Sequence, residues 1–303
     1  MSVYVARLLK IIGTFALLTL IISCATAPKE LPAPKPAKIA VVLGAGASKG
    51  FAHVGVLKIL DLNKIPIHMV VGTSVGSFVG SLYAYGYSPY ELQAIAFALQ
   101  KDDVADYIIP DNGFIKGEKL ETFVNKKVKY TPIDKFKIPF YAVTTNIQTG
   151  EETAFIRGDA GKSVRASCSI PGIFQPAIIS GRMYVDGGVV SPLAVDVARR
   201  NGADVVIAVD ISSSLPSSAP AGTIETIMQA IDIMYSKIAA IQIKNADVVI
   251  KPKVGYIGSS DFSKRHEAIM EGEKENVTLA RESAEQEIRS ILTPEQFQKF
   301  EMQ

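Results

Sequence analysis

A chain of 303 residues that is 48% hydrophobic can bury one large core or two modest ones, and it is too apolar to be a disordered polypeptide. Of its 32 basic residues, Arg7 and Lys10 fall in the first 23, which hold no acid; the remainder is formally neutral against 30 acidic residues, which argues against a nucleic-acid partner. Two cysteines and three histidines (His53, His68 and His266) show no metal-site spacing, so no metal is expected.

Residues 1–23 have the pattern of a signal peptide, with Arg7 and Lys10 ahead of an apolar run, 11–22, that is short for a bilayer span. The run ends Ile21-Ile22-Ser23-Cys24, which resembles the lipobox of bacterial lipoproteins. That resemblance implies Cys24 as the acylated first residue of the mature chain, palmitate being one such acyl group, and a membrane lipoprotein on the extracytoplasmic face. Ala25 rather than Asp follows, so in a cell with two membranes it implies the periplasmic side of the outer membrane. Residues 24–37, with prolines at 28, 32, 34 and 36, read as an extended tether. About a dozen such residues reach roughly 30 to 40 Å. With Cys24 acylated, Cys168 has no disulfide partner.

From Lys38 onward, short β-rich runs alternate with helical ones, the pattern of a doubly wound α/β layer, read as one domain over 38–303. Residues 38–44 (KIAVVLG) read as a buried strand ending in a glycine-rich loop, and 50–63 as a helix. Residues 67–73 (IHMVVGT) form the next strand, which turns at Ser74 into a helix over 75–85 that Gly86 is placed to end. Ser88-Pro89-Tyr90-Glu91 supplies an N-cap, a first-turn proline and a capping-box acid for a helix to about 100. Strands are expected at 139–147, 182–185, 204–211 and 246–252, with an apolar helix over 223–244. The end, 263–291, reads as a charged helix, and Thr293-Pro294-Glu295-Gln296 as another capping signature. Residues 101–136, polar and turn-rich, fit either a lid or an ordinary excursion. No internal repeat is visible.

Two motifs carry chemistry. The loop Gly44-Ala45-Gly46-Ala47-Ser48-Lys49-Gly50 fails as a dinucleotide fingerprint because its third glycine is one place late and no acid ends the next strand. It fails as a phosphate-binding loop because Lys49 precedes its glycine. No cofactor is therefore expected. A third use is an oxyanion hole, in which backbone N–H groups of Gly44, Gly46 and Ala47 converge near a helix N-terminus. Its partner is Ser74 in Gly72-Thr73-Ser74-Val75-Gly76, on a strand-to-helix turn one βαβ unit later, with the Val75 N–H completing the hole and the two glycines permitting a sharp elbow.

A serine nucleophile needs a base, and the histidines are poorly placed. His266 lies in a charged stretch that reads as a solvated helix, His53 is expected to pack against the glycine loop, and His68 opens a strand. Asp186 is the better candidate: it follows a short strand, and Gly187-Gly188 can turn its carboxylate back toward the strand ends. Apolar surroundings would raise its pKa into a useful range. Cys168 reads as a small buried residue, Arg165 and Pro171 as shaping the pocket beside Asp186, and Phe155, Phe174 and Tyr184 as core rather than acyl-chain lining.

Together the glycine loop, the Ser74 elbow and Asp186-Gly187-Gly188 resemble the three signatures of the patatin-like phospholipase family, and RASCSIPGIFQP (165–176) resembles a fourth block. The likeness runs from about Lys38 to at least Asp210, and the tail ADVVIKPKVGYIGSSDFSKRHEAIMEG is similar to the bacterial branch related to neuropathy target esterase. This resemblance implies a three-layer α/β/α fold with a mainly parallel central sheet and a Ser-Asp dyad without histidine, Ser74 the nucleophile and Asp186 the base. It implies a membrane lipid substrate, a phospholipid or lysophospholipid. Ala45, where many members carry another glycine, and Lys49 in place of the commoner arginine leave the fine geometry of the hole open. A different ester or thioester substrate, or a catalytically silent scaffold, also stays open at this point, as does the oligomeric state.

Overall fold

The structure, a computed structural model, describes residues 37–109, 112–212 and 219–274. The expected signal segment, Cys24, the tether up to residue 36, the helix beyond 274 and the Thr293 capping signature lie outside the described residues.

At the centre of the sheet is β1 (Ile39–Leu43), whose unbroken apolar run suits a strand covered on both faces. β2 (Met69–Thr73) and β7 (Val205–Val209) pair with it in parallel; β8 (Val248–Ile250) joins β7 and β3 (Phe140–Asn146) joins β2, also in parallel. Three antiparallel strands complete the β3 end: β4 (Glu152–Phe155), β5 (Ala177–Ile179) and β6 (Arg182–Asp186). The order is β5-β6-β3-β2-β1-β7-β8, with β4 paired to β3. The strand expected at 246–252 is reduced to β8. Sequence alternation does not announce β4 and β5, which are short and partly exposed and take their conformation from the neighbouring strands.

Alternate strand side chains feed two cores. Val41, Leu43, Val70, Ile207 and Val209 pack on one face with α1 (Phe51–Leu62), α2 (Val75–Tyr85) and α3 (Pro89–Ala98). Leu57, Leu60 and Leu82 are buried there, and each contributes about 2 kcal/mol through apolar area removed from water. α3 starts as its sequence demands: Ser88 Oγ accepts from the Glu91 N–H, the Glu91 carboxylate accepts from the Ser88 N–H, and Pro89 occupies the first turn. Gly86, at φ 127°, ends α2.

Residues 101–109 and 112–136 form a wall. They include α4 (Lys101–Val104) and α5 (Glu118–Lys127), the latter capped by Asp106, which accepts from the N–H groups of Gly117, Glu118 and Lys119. Phe114 and Ile115 N–H groups donate to Ile173 O, and Gln175 N–H returns a bond to Ile115 O. From α6 (Ala160–Ser167), Arg165 reaches Glu121 at 3.2 Å and Lys116 O at 2.8 Å. Arg165 therefore clamps this excursion to the domain.

On the opposite face, Ala40, Val42, Val71, Val206 and Ala208 meet α7 (Val195–Arg200) and Ala239 of α8 (Thr223–Gln242), which completes the α/β/α layering. α9 (Arg265–Lys274) crosses α1 at backbone contact distance: a Cβ on Gly55 would lie 2.0 Å from Ile269 O, and one on Gly272 would lie 2.1 Å from Ala52 O. Arg265 at its start donates to the Ala96, Phe97 and Leu99 carbonyls at the C-terminal end of α3.

Candidate active site

Register explains how two residues 112 apart in sequence meet. β2 pairs with β3 along Phe140–Val143, Thr73 opposite Val143, while β4 pairs along Ala142–Thr145 and β6 along Thr144–Asn146. β4 overlaps both β2 and β6 on β3, so it takes one edge and leaves β2 and β6 to share the other. β6 therefore runs head-on toward β2 in one lane. β2 stops at Thr73, and β6 stops at Asp186, opposite Thr144. The residue after β2 is Ser74, and its Oγ donates to Asp186 Oδ2 at 2.5 Å.

The elbow is strained and glycine-dependent. Ser74 sits at φ 55°, ψ −126°, a region that costs a side-chain-bearing residue of the order of 1–3 kcal/mol. Added Cβ atoms would meet Leu43 O at 2.0 Å on Gly76, and Gly76 O and Ser77 Cα at 2.5 Å on Gly72. α2 thus leaves β2 pressed against the end of β1, and only glycine fits. Ser167 Oγ accepts from the Ser74 N–H at 2.9 Å and donates to Val143 O at 2.6 Å, while Ser77 Oγ donates to Ser74 O at 2.7 Å. The sequence reading passed over Ser167 and Ser77; RASCS carried the only hint.

The glycine loop meets the elbow at Gly50, where a Cβ would fall 2.2 Å from Val75 Cγ2. That contact sets the short 3-10 turn Ala47–Gly50 beside the first residue of α2. The N–H groups of Gly46, Ala47 and Val75 have no acceptor among the described residues, so main-chain donors stay free along the glycine loop and at the first residue of α2. Gly44 is a correction: its N–H donates to Val209 O at 3.1 Å, and Ala45 N–H donates to Pro192 O at 2.9 Å. The first extends the β1–β7 seam and the second ties the loop to the segment before α7, so the available donors begin at Gly46. Ala45 is buried in a small cluster with Ile170, Ile231 and Tyr235, so its methyl has a packing place. Lys49, fully buried, ion-pairs with Asp232 at 2.9 Å.

Asp186 is fully buried. Its Oδ1 accepts from the Gly188 N–H at 2.7 Å, an approach that the absent Gly187 side chain allows, since a Cβ there would lie 2.3 Å from Val143 O. Burial pushes its pKa up to about 7, against the lowering effects of Ser74, Gly188 and the nearby Tyr235 hydroxyl. A carboxyl that titrates near neutrality can both take and return a proton. None of the histidines competes. His53 Nε2 bonds Gly44 O at 2.8 Å, and burial lowers its pKa to about 4. His68 is exposed with Nδ1 accepting from the Ile39 N–H, and exposed His266 packs on Phe97. Burial and the neighbouring Asp186 raise the Cys168 thiol, which is therefore inert at neutral pH.

Ser74 opens onto an apolar cavity of about 650 Å³ between α2, α3, the wall from Lys101 to Leu120 described above and the start of α8, lined by Phe78, Leu82, Ile95, Leu120, Ile173 and Phe174 among others. Phe174 packs against the Ala45 cluster, as expected, and also lines the cavity. Phe155 and Tyr184 stack edge to face within the core as expected. From the 165–176 segment, Cys168, Ile170, Ile173 and Phe174 shape the cavity, not Arg165 or Pro171.

A family model described as patatin-like phospholipase matches residues 41–199, more than half of the chain. The chain is 33% identical over 182 residues to the lysophospholipase NTE1 of Scheffersomyces stipitis and 35% identical over 181 residues to the lysophospholipase nte1 of Aspergillus fumigatus. Each match covers 58% of this chain but 12% of the relative, so the chain spans about an eighth of the length of the curated relatives it matches. It also superposes on the crystal structure of VipD from Legionella pneumophila with a TM-score of 0.57 at 12% identity, over 83% of this chain and 68% of the other, a likeness of fold. The matched span contains the glycine loop, the Ser74 elbow and Asp186, which the sheet brings to one edge, and the chain belongs to the patatin-like phospholipase family of lipid acyl hydrolases.

Proposed function

We propose that Ser74 and Asp186 are the catalytic dyad of this lipid acyl hydrolase and that it deacylates membrane phospholipids or lysophospholipids through an acyl-enzyme. The carrying observation is the 2.5 Å Ser74–Asp186 hydrogen bond beside unpaired main-chain donors and an apolar cavity. Ser74 Oγ attacks the ester carbonyl carbon as its proton passes to Asp186 Oδ2. The N–H groups of Gly46, Ala47 and Val75 hold the oxyanion. Collapse of the intermediate breaks the acyl C–O bond, and the Asp186 proton leaves with the alcohol. Water then gives a proton to Asp186 and attacks the acyl-serine; collapse releases the fatty acid and returns the proton to Ser74.

A cavity of this size and apolarity favours a long acyl chain over a small soluble ester, since each buried methylene contributes about 0.8 kcal/mol. The name lysophospholipase borne by the relatives supports single-chain substrates. A fluorophosphonate should label the wild type, and fatty acid release should rise with chain length in a series of choline esters; no labelling of folded protein would favour a silent scaffold, and preference for acetyl or butyryl esters would exclude the lipid reading.

Membrane anchorage through Cys24 belongs to the same proposal, supported by the lipobox-like sequence and the proline-rich stretch that follows it. Wild type should incorporate labelled palmitate in a bacterial host and Cys24→Ala should not, with activity on detergent-dispersed substrate retained. Equal lack of palmitate in wild type and variant would remove that part.

A further inference from the structure

Helix α8 touches the reaction centre twice, through residues on one face. Asp232, buried, is the ion-pair partner of Lys49, and the same Oδ2 accepts from Ser259 Oγ at 2.9 Å. Ser259 O in turn accepts from the Ser48 N–H at 3.1 Å and from Ser48 Oγ at 2.9 Å. The turn that carries the oxyanion donors is thereby held from both sides. Three residues on, and so on the same helix face, Tyr235 packs flat against Gly188: a Cβ there would lie 2.3 Å from its Cε2 and Cζ and 2.7 Å from its hydroxyl oxygen. Gly188 is the residue whose N–H holds Asp186 Oδ1. The Tyr235 hydroxyl is buried and has no hydrogen-bond partner among the described residues. An orphaned buried hydroxyl is costly, and the reaction described above gives it no role.

We propose that α8 is a positioning element for hydrolysis, in which Tyr235 steadies the ionised Asp186 carboxylate with its hydroxyl and Asp232 fixes the oxyanion turn through Lys49. The proposal rests on the Ser74–Asp186 reading. The groups facing Asp186 are the Ser74 hydroxyl, the Cys168 thiol at the end of α6 and the Tyr235 phenol, and Asp232 of the Lys49 pair acts on the phenol in turn. Burial and the adjacent Asp186 raise the Tyr235 phenol well above its ordinary value, so it stays protonated and can only donate to an anion. The phenol stabilises the charged form of Asp186. It turns to the carboxylate while Asp186 awaits the Ser74 proton and is released once that proton arrives. α8 also lines the acyl cavity through Ile224 and Met228, so a seated chain presses on the helix that sets both halves of the site.

The test is the pH dependence of kcat/KM for the full chain carrying Tyr235→Phe, which keeps the ring on Gly188 and removes only the hydroxyl. The acidic limb should move upward by about half a unit to one unit, with kcat at pH 7 falling about three- to tenfold and KM within about twofold of wild type. Asp232→Asn should lower kcat about ten- to a hundredfold and leave the acidic limb in place, because it acts on the donors and not on the base. A Tyr235→Phe profile superimposable on wild type overturns the proposal, whether or not Asp232→Asn folds. Ser74→Ala measured alongside separates the two readings: an active Ser74→Ala sinks the dyad, whereas an inactive Ser74→Ala with unaltered Tyr235→Phe sinks this inference alone.

Discussion

Ser74→Ala lowers kcat by about four orders of magnitude or more and abolishes fluorophosphonate labelling, with the fold intact. The size follows from losing the covalent route altogether, since the residual rate then comes only from oxyanion donors and substrate binding. The fold survives because the elbow is held by main-chain atoms: Ser74 N–H to Ser167 Oγ and Ser74 O from Ser77 Oγ. Asp186 loses one of the hydrogen bonds that lower its pKa, so its carboxyl becomes harder to ionise in the variant. Intact-mass analysis after fluorophosphonate treatment and a fatty-acid release assay check this result; a labelled or active Ser74→Ala protein would move the nucleophile elsewhere.

Asp186→Asn lowers kcat about a thousand- to ten-thousandfold and raises stability above pH 7. The two effects share one cause, a carboxyl buried for chemistry. Its folded pKa, about 7, lies above the ordinary 3.8, so between those values the folded state holds the proton more tightly than the unfolded chain does. Stability from this group is therefore full below about pH 4, falls as pH rises to about 7, and stays low above that. Asparagine removes the charge and keeps an oxygen for the Gly188 N–H. The gain at pH 8 is on the order of a few kcal/mol, several degrees in Tm, and it vanishes near pH 4. Thermal melts of both proteins at pH 4 and pH 8 decide the matter; equal shifts at the two pH values would mean that Asp186 is not titrating as its burial requires. Wild-type kcat/KM should carry the same signature, an acidic limb near 7.

Much of this molecule is legible in its residues. The run IAVVL, followed by a glycine loop and then an apolar helix, can only be a buried strand feeding a crossover, and the same local logic gives β2, β7 and the parallel half of the sheet. Ser74 stands out because a serine between two glycines sits on a strand-to-helix turn one βαβ unit after the glycine loop, and Asp186 stands out because no histidine is well placed. These are short-range facts: periodicity, propensity and steric demand act over a few residues.

The antiparallel end of the sheet is different. Nothing in ETAF or AII announces a strand, yet β4 takes the edge of β3 that forces β6 into the lane of β2, and that lane sharing brings Asp186 to Ser74. Backbone pairing likewise spends the Gly44 N–H on Val209 and leaves Gly46, Ala47 and Val75 free. Tyr235 and Asp232 look like any residues of a long apolar helix until packing sets one against Gly188 and the other on Lys49. Sequence by itself determined which residues can do the chemistry and which local geometry each adopts. Tertiary structure alone decided which of them meet, because register and edge occupancy are set by pairing between strands and leave no pattern within any one strand.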